Sequence, residues 1–383
     1  MGIKTNHKRA SRVFGILLEA FREVRYPYNV AVLPQDMVPA ELRKDPLRHA
    51  QFLWYACHFM RGALDSTTAI RQLVTLWSFR PDLFMPEKVV TIPLEEIKGQ
   101  LVRALNYHID EIGVFWQENS ARLIKYWRGD PRLIFHKLKD GADLRRRVMN
   151  KRTQGTRPSN ELLNHEQGFE GFQAKMTSML AYFLIAEKLV SPIEIIPAVD
   201  FHLLRVMFET EILVPDTYER RIGYDEAYKY GANLLECYLK RDFSRSVELA
   251  DALWLLSSNL CALAPGNRSV GRSTRKNYRD GKKTLPQVLN VDPDDLNHQR
   301  WYARSCARCP ISDACVRNVP SGPYYEVGMF MIHPRRRMEV PQELFPLDTC
   351  RHPHTAPRRY KTGNLMTPSA EIQLVLDIDD PDI

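Results

Sequence analysis

The sequence predicts a mostly α-helical protein, and three observations lead to that prediction. Apolar residues recur every three or four positions over long stretches, which is the pattern of amphipathic helices. Strict alternation of apolar and polar residues, which marks half-buried strands, is scarce. The chain has 383 residues, of which 44% are hydrophobic, so it can bury a substantial core and is long enough for two or three lobes.

Eight stretches share the helical periodicity. In order they are 48–62, 67–78, 93–117, 119–128, 175–189, 200–209, 223–241 and 246–261. Asp65 and Ser66 precede the second stretch and are residues that cap helix N-termini well. The stretch from Lys175, KMTSMLAYFLIAEKL, is so apolar that we expect it to be largely buried.

Changes in composition and periodicity divide the chain into five predicted segments. An N-terminal extension (1–44) precedes a helical lobe (45–158), and 159–260 holds a glycine-containing hairpin and a candidate functional aspartate. A cysteine loop with a long basic insertion (261–315) follows. The last segment (316–383) is rich in proline and basic residues, has little periodicity and is predicted to be an irregular tail.

The bulk composition predicts an intracellular, soluble protein, cytoplasmic or at the nucleoid. No apolar run approaches the roughly 20 residues that span a membrane. The basic N-terminus lacks a secretory apolar core. An odd number of cysteines, seven, and a tight C-x2-C spacing argue against a disulfide framework. We expect a monomer without a membrane partner.

Positive charge is concentrated in three runs, and the net charge is +8. The runs are Arg145–Arg157, Arg268–Lys283 and Arg335–Arg337. One run alone fits a solvated loop equally well, but three runs in one chain favour contact with a polyanion such as nucleic acid. From the second run we take Arg272, Arg275 and Lys276 as candidate DNA contacts.

Three cysteines near the C-terminus have the spacing of metal ligands. Cys306, Cys309 and Cys315 form a C-x2-C-x5-C cluster, which needs a fourth ligand. Four thiolates suit either a 4Fe–4S cluster or structural zinc, and spacing alone does not decide between them. Cys57 and Cys237 are expected to be inert core thiols.

The segment GFEGFQAK, over residues 168–175, follows a short predicted helix over 159–166 and contains a candidate phosphate-binding turn. A glycine-containing turn before a helix can direct backbone N–H groups at a phosphate, and the helix dipole adds to the attraction. An ordinary helix–helix turn is the alternative. Lys175 is either a surface lysine or a nucleophile, because a helix N-terminus and apolar surroundings would lower the pKa of its amine.

Asp200 precedes a predicted amphipathic helix and therefore suits an N-cap. It also suits catalysis, because a carboxylate can stabilise positive charge that develops in a transition state and can help to activate an amine or water. His202 is expected to form structural hydrogen bonds, and Arg205 could pair with a phosphate or with an internal acid.

Together these segments resemble the endonuclease III superfamily of helix-hairpin-helix DNA glycosylases. Gly171 and Lys175 match the family's L-P-G-x-G-x-K motif, with Glu170 and Gln173 in place of its proline and second glycine. Residues 199–206 match V-D-x-H-x-x-R-V closely. The family's cysteine pattern, C-x6-C-x2-C-x5-C, agrees in its last two intervals. Its first cysteine corresponds to Cys261, with 44 residues in the first interval, and Cys350 is the reserve ligand.

The resemblance implies a two-lobed helical fold with a C-terminal iron–sulfur cluster loop and a 4Fe–4S cluster in preference to zinc. It implies a DNA glycosylase that flips a damaged or modified base out of duplex DNA and cuts its glycosidic bond. Lys175 would be the nucleophile, with associated AP lyase activity, and Asp200 its electrostatic partner. If Lys175 points away, Asp200 would activate water instead. Gly171 and Gln173 would contact the DNA backbone, and Arg61 would fill the gap left by the flipped base.

Two alternatives share much of this pattern. An N-glycosidase acting on free modified nucleotides would use the same chemistry but would not need three basic runs. A non-catalytic iron–sulfur DNA-binding protein would keep the scaffold without base release. Salt-sensitive DNA binding separates the first alternative from a DNA glycosylase, and base release separates the second.

Overall fold

The computed structural model describes residues 2–60, 66–149, 168–217, 221–240, 242–261, 306–315, 319–324 and 329–333. Within these ranges the protein is mostly helical, with a few short strands, so the predicted fold class is confirmed at this level. None of the helices in these ranges is long and apolar enough to cross a membrane.

The described helices, in chain order, are α1 (His7–Arg22), α2 (Ala40–Arg43), α3 (Pro46–Cys57), α4 (Ser66–Phe79), α5 (Pro86–Val89), α6 (Leu94–Ala104), α7 (Ile109–Trp127), α8 (Gly141–Val148), α9 (Ala174–Ala186), α10 (Phe201–Glu209), α11 (Tyr224–Leu239) and α12 (Ser246–Asn259). The described strands are β1 (Ile3–Thr5), β2 (Leu213–Pro215), β3 (Arg221–Gly223), β4 (Val319–Tyr324) and β5 (Met329–His333). β1 pairs antiparallel with β2, and the second sheet has the antiparallel order β3-β5-β4.

One predicted boundary between helices is wrong. The periodicity predicts a helix over 93–117 and a second over 119–128, whereas α6 ends at Ala104 and α7 runs unbroken from Ile109 to Trp127. The break occurs where His108 adopts a left-handed backbone with φ +46°. A right-handed helix cannot pass through that conformation. Apolar spacing on either side stays in helical phase, so the pattern hides the break.

The chain divides into two compact units, each built from segments that are distant in sequence. The cysteine unit comprises the described residues of Met1–Val32, Val199–Lys240 and Glu248–Ile383, and the hairpin unit comprises those of Leu33–Ala198 and Arg241–Val247. Residues 2–32, predicted as part of an N-terminal extension, thus belong to the unit that carries the cysteines.

The core of the hairpin unit is an aromatic cluster between α3, α7 and the hairpin. Trp54 packs edge-on against Phe169 at 5.3 Å between ring centroids and lies nearly parallel to Phe172 at 6.4 Å. Tyr55 stacks on Trp116 at 4.4 Å. Burial of these large rings stabilises the unit and packs the hairpin against the helices.

In the cysteine unit, α10 and α11 approach each other closely at Gly231. A Cβ atom at this position would lie 2.9 Å from Leu204 Cδ2, so a larger residue would force the Leu204 side chain to move. The N-terminal helix α1 joins the same unit through buried apolar residues, and Phe14 packs edge-on against Tyr238 at 5.0 Å. Gly231 also faces the side chain of Val199, the residue directly before Asp200.

Candidate catalytic and cysteine sites

The turn over residues 168–173 is tight, and its glycine has a left-handed backbone conformation. Gly171 has φ +81°, in the region that favours glycine. The Phe172 N–H donates to the Phe169 carbonyl at 3.2 Å and closes the turn. Gln173 is exposed at the N-cap of α9, and Lys175 is half-buried in the first helical turn. The predicted helix over 159–166 that would complete the motif lies outside the described residues.

Asp200 is the N-cap of α10, as the sequence suggests. Its Oδ1 accepts hydrogen bonds from the His202 N–H at 2.8 Å and from the Leu203 N–H at 3.1 Å. The residue is 8% exposed. Both capping bonds use the same carboxylate oxygen, so the cap does not require Oδ2. A cap of this kind holds a carboxylate in one fixed orientation.

Tyr224 lies beside Asp200, and sequence reasoning missed it. Its hydroxyl donates to the Val199 carbonyl at 2.6 Å, directly before the aspartate, and its ring packs against Phe201 at 5.1 Å. Burial raises the pKa of the Tyr224 phenol, and the negative charge of Asp200 raises it further. Tyr224 stands 24 positions after Asp200, at the start of another helix, so no local motif links the two residues.

His202 and Arg205 extend inward from α10 and meet Ser257 on α12. His202 Nδ1 lies 3.2 Å from Ser257 Oγ, and Arg205 Nη1 donates to the same hydroxyl at 3.0 Å. Arg205 is 6% exposed. The structural role expected for His202 agrees with these contacts, and the guanidinium of Arg205 is held inside the unit.

The four cysteines proposed from the resemblance come together in the cysteine unit. Cys261 follows α12, and Cys306, Cys309 and Cys315 lie in a run of turns over 306–315. Burial raises the pKa of the Cys309 thiol most, and the neighbouring Cys306 raises it next. Burial also raises the pKa of the Cys261 thiol most, and Glu209 and then the other three cysteines raise it further. The four sulfurs are thus close enough to interact electrostatically.

This donor set fits a four-thiolate group in the number and type of its ligands. Repulsion and burial oppose thiolate formation in the protein alone, and a bound cation among the sulfurs would reverse that effect. Across the ranges that the structure describes, no three or more His, Cys, Asp or Glu side chains stand in the geometry of a metal site.

N-terminal residues anchor the cysteine loop. Arg9 Nη2 donates to the Ala314 carbonyl at 2.8 Å, and the Arg308 guanidinium lies 5.0 Å from the centre of the Tyr26 ring. The Tyr28 hydroxyl donates to the Ala252 carbonyl at 3.0 Å. Burial raises the pKa of Tyr28 most, followed by the charges of Cys309 and Cys261. The N-terminal segment therefore lines the cysteine site, a role that sequence analysis did not predict.

Two arginines of the first basic run, Arg146 and Arg147, bind neighbouring groups of the protein. Arg147 Nη1 donates to the carbonyls of Ile134 at 2.9 Å and His136 at 2.8 Å, and Nη2 pairs with Asp143 at 3.1 Å. Arg146 pairs with Asp143 at 3.3 Å. The predicted contacts Arg61, Arg272, Arg275 and Lys276, the run at 335–337 and Cys350 lie outside the described residues.

No protein-family model matches the chain, and no curated protein matches it significantly. The candidate functional residues are Lys175 in the hairpin unit, and Asp200 together with the four cysteines in the cysteine unit.

Proposed function

We propose that this protein is a DNA glycosylase that excises a damaged or modified base by cleaving its N-glycosidic bond. The observation that carries the proposal is that Cys261 lies within electrostatic range of Cys306, Cys309 and Cys315, although 44 residues separate it from Cys306. An insertion in the cluster loop of a helix-hairpin-helix glycosylase would produce this arrangement. The same compact unit holds Asp200.

Asp200 is the residue that stabilises the developing positive charge on the sugar. Its cap bonds fix the carboxylate through Oδ1, and its small exposed fraction reduces solvent screening. A preorganised charge of this kind stabilises a transition state without the cost of reorientation. Tyr224 holds the backbone immediately before the aspartate, so it acts as a positioning residue.

Lys175 is the proposed nucleophile. It lies in the first turn of α9 and is partly shielded from solvent. Attack of its neutral amine on the anomeric carbon would expel the base and form a Schiff base with the opened sugar, which leads to strand cleavage by β-elimination. If the amine does not reach the sugar, Asp200 activates a water molecule and the enzyme only releases the base.

The hairpin binds the DNA backbone in this proposal. Gly171 gives the turn its left-handed conformation, and the first N–H groups of α9 follow at Gln173 and Ala174. Backbone N–H groups at a helix N-terminus bind phosphate without regard to base sequence. This is the property that a glycosylase needs to search duplex DNA.

Cys261, Cys306, Cys309 and Cys315 would hold a 4Fe–4S cluster, with zinc as the alternative metal. When bound, such a group supplies structural cross-linking of the loop to α12. Arg9 and the Tyr26–Arg308 contact hold the same loop from the N-terminal side. The loop then has a fixed position from which its basic insertion can contact DNA.

The experiment that tests the proposal is mass spectrometry of bases released from a DNA panel. The panel contains oxidised, alkylated, deaminated and naturally hypermodified bases, and borohydride trapping runs in parallel. Release of a base supports the proposal and identifies the substrate. A trapped adduct that is lost in Lys175→Ala identifies a bifunctional enzyme. Salt-sensitive DNA binding without release from any substrate would instead favour a binding protein.

A further inference from the structure

The hairpin is held by a buried polar cluster in which Glu170 occupies the position of the family's proline. The Glu170 residue is 4% exposed. Its Oε1 accepts a hydrogen bond from Arg122 Nη2 at 2.9 Å. The other arm of the same guanidinium, Nη1, donates to the Gly168 carbonyl. Arg122, on α7, therefore joins the Gly168 backbone at the start of the turn to the Glu170 side chain in its middle.

Asn119, one helical turn before Arg122, binds the backbone of Glu170. Its Oδ1 accepts from the Glu170 N–H at 2.7 Å, and its Nδ2 donates to the Glu170 carbonyl at 2.9 Å. Nδ2 also lies 3.0 Å from His58 Nε2. Asn119 is fully buried. Buried polar groups that satisfy one another in this way impose a single geometry on the segment they join.

The polar cluster of Asn119, Arg122 and Glu170 lies where the family's motif would restrict the backbone with a proline. A proline at 170 would restrict the backbone before the turn, and a glycine at 173 would ease the turn into the helix. This chain has neither residue, and Gly171 with φ +81° follows Glu170 directly. The directions of the N–H groups from Gly171 to Ala174 depend on where residues 168–170 are held.

We propose that Asn119, Arg122 and Glu170 form a polar clamp that positions the hairpin for contact with the DNA backbone. Arg122 and Glu170 are positioning residues, since neither is required to touch DNA. The inference rests on the proposed function, because it assumes that the hairpin binds phosphate. It also goes beyond that function, since these three side chains hold the turn in place of the proline and the second glycine of the family's motif.

The test is binding to a fluorescent DNA duplex that carries a tetrahydrofuran abasic-site analogue, measured with a melting curve for every variant. Arg122→Met and Glu170→Ala each remove one half of the fork and are expected to weaken binding about 10-fold or more, a loss that corresponds to one charge-assisted contact. Glu170→Gln keeps an oxygen that accepts from Arg122, so it should restore binding to within about 3-fold of the wild type. Arg122→Lys keeps the charge but not the fork and should fall between the two.

Arg80→Met is the matched control in the same unit. Arg80 forms a comparable fork, with Asp82 at 2.9 and 2.8 Å, and also pairs with Glu96 at 3.0 Å, but none of its contacts involves the hairpin. This variant should lower the melting temperature while leaving DNA affinity unchanged.

Three outcomes would overturn the clamp while leaving the proposed function in place. Arg122→Met and Glu170→Ala could bind DNA as the wild type does. Glu170→Gln could fail to rescue binding. Arg80→Met could weaken binding as much as Arg122→Met, and the loss of binding would then follow from lower stability of the unit. Wild-type protein that does not bind the duplex would reject the hairpin's role in the proposed function, and the clamp's role with it.

Discussion

Asp200 has two proposed roles, a structural cap and a catalytic charge, and two substitutions separate them. Asp200→Asn keeps an oxygen acceptor at the N-cap, where asparagine caps as well as aspartate. Asp200→Ala removes the acceptor from both the His202 and Leu203 N–H groups, whose bonds are 2.8 and 3.1 Å long. Both variants lose the negative charge. Base release should therefore be abolished in both, and stability should fall in only one.

The expected loss in Asp200→Ala is about 1–2 kcal/mol, the usual effect of losing a cap whose two donors are left without a partner. In Asp200→Asn the change should stay within roughly 0.5 kcal/mol. Each kcal/mol corresponds to a shift of roughly 2–4 °C in melting temperature for a unit of about this size. Calorimetry or a thermal melt resolves that difference.

The assays are a thermal melt, duplex binding, and base release on the substrate that the panel identifies. Retained base release in Asp200→Asn would refute the electrostatic role of the carboxylate. Equal destabilisation by asparagine and alanine would refute the capping account, because only alanine lacks the acceptor. Normal DNA affinity in both variants is expected, since the carboxylate is not proposed to contact phosphate.

Three further predictions concern the cysteine loop and a buried histidine. Arg9→Met removes the 2.8 Å bond to the Ala314 carbonyl, so the loop should be less stable by about 1–2 kcal/mol and should release iron to a chelator faster than the exposed control Arg12→Met. Cys309→Ser should give a colourless, poorly folded protein, because loss of a cluster ligand costs folding energy. Acidification from pH 7 to 5.5 should destabilise the wild type by about 1 kcal/mol, and His49→Gln should flatten that dependence in urea titrations.

The sign of the pH effect follows from His49. Burial, followed by the positive charge of Arg43, lowers its pKa from 6.5 to about 4. Between these values the unfolded chain binds the extra proton, so stability is fully present above pH 6.5 and is lost as the pH falls. Burial raises the pKa of Glu187, whose Oε2 lies 3.5 Å from His49 Nε2, and proton uptake there offsets part of the loss at the acid end.

Each of these predictions has a contradicting result. Equal rates of iron release to the chelator from Arg9→Met and Arg12→Met would refute the role of Arg9 in anchoring the loop. A brown, iron-replete Cys309→Ser protein would refute that ligand. An unchanged slope of stability against pH in His49→Gln would assign the acid sensitivity to other groups.

Local patterns predicted most of the secondary structure. The helices α9, α10, α11 and α12 lie within three residues of the predicted ends, because apolar spacing at 3.6 residues per turn reports directly on a buried helical face. Asp200 as an N-cap was also predictable, since a cap acts on N–H groups two and three positions ahead. The break at His108 was not, because a single left-handed residue leaves the apolar phase intact.

The features that could be predicted from the sequence are therefore local: the helical class, the spacing of Cys306, Cys309 and Cys315, the glycine in the turn, and the cap at Asp200. The contacts between distant segments became known from the folded structure. It placed the N-terminal helix in the cysteine unit and joined Glu170 to Arg122 across 48 residues. Periodicity and capping depend on neighbours a few positions away, whereas such long-range pairs arise only when whole helices pack and exclude water.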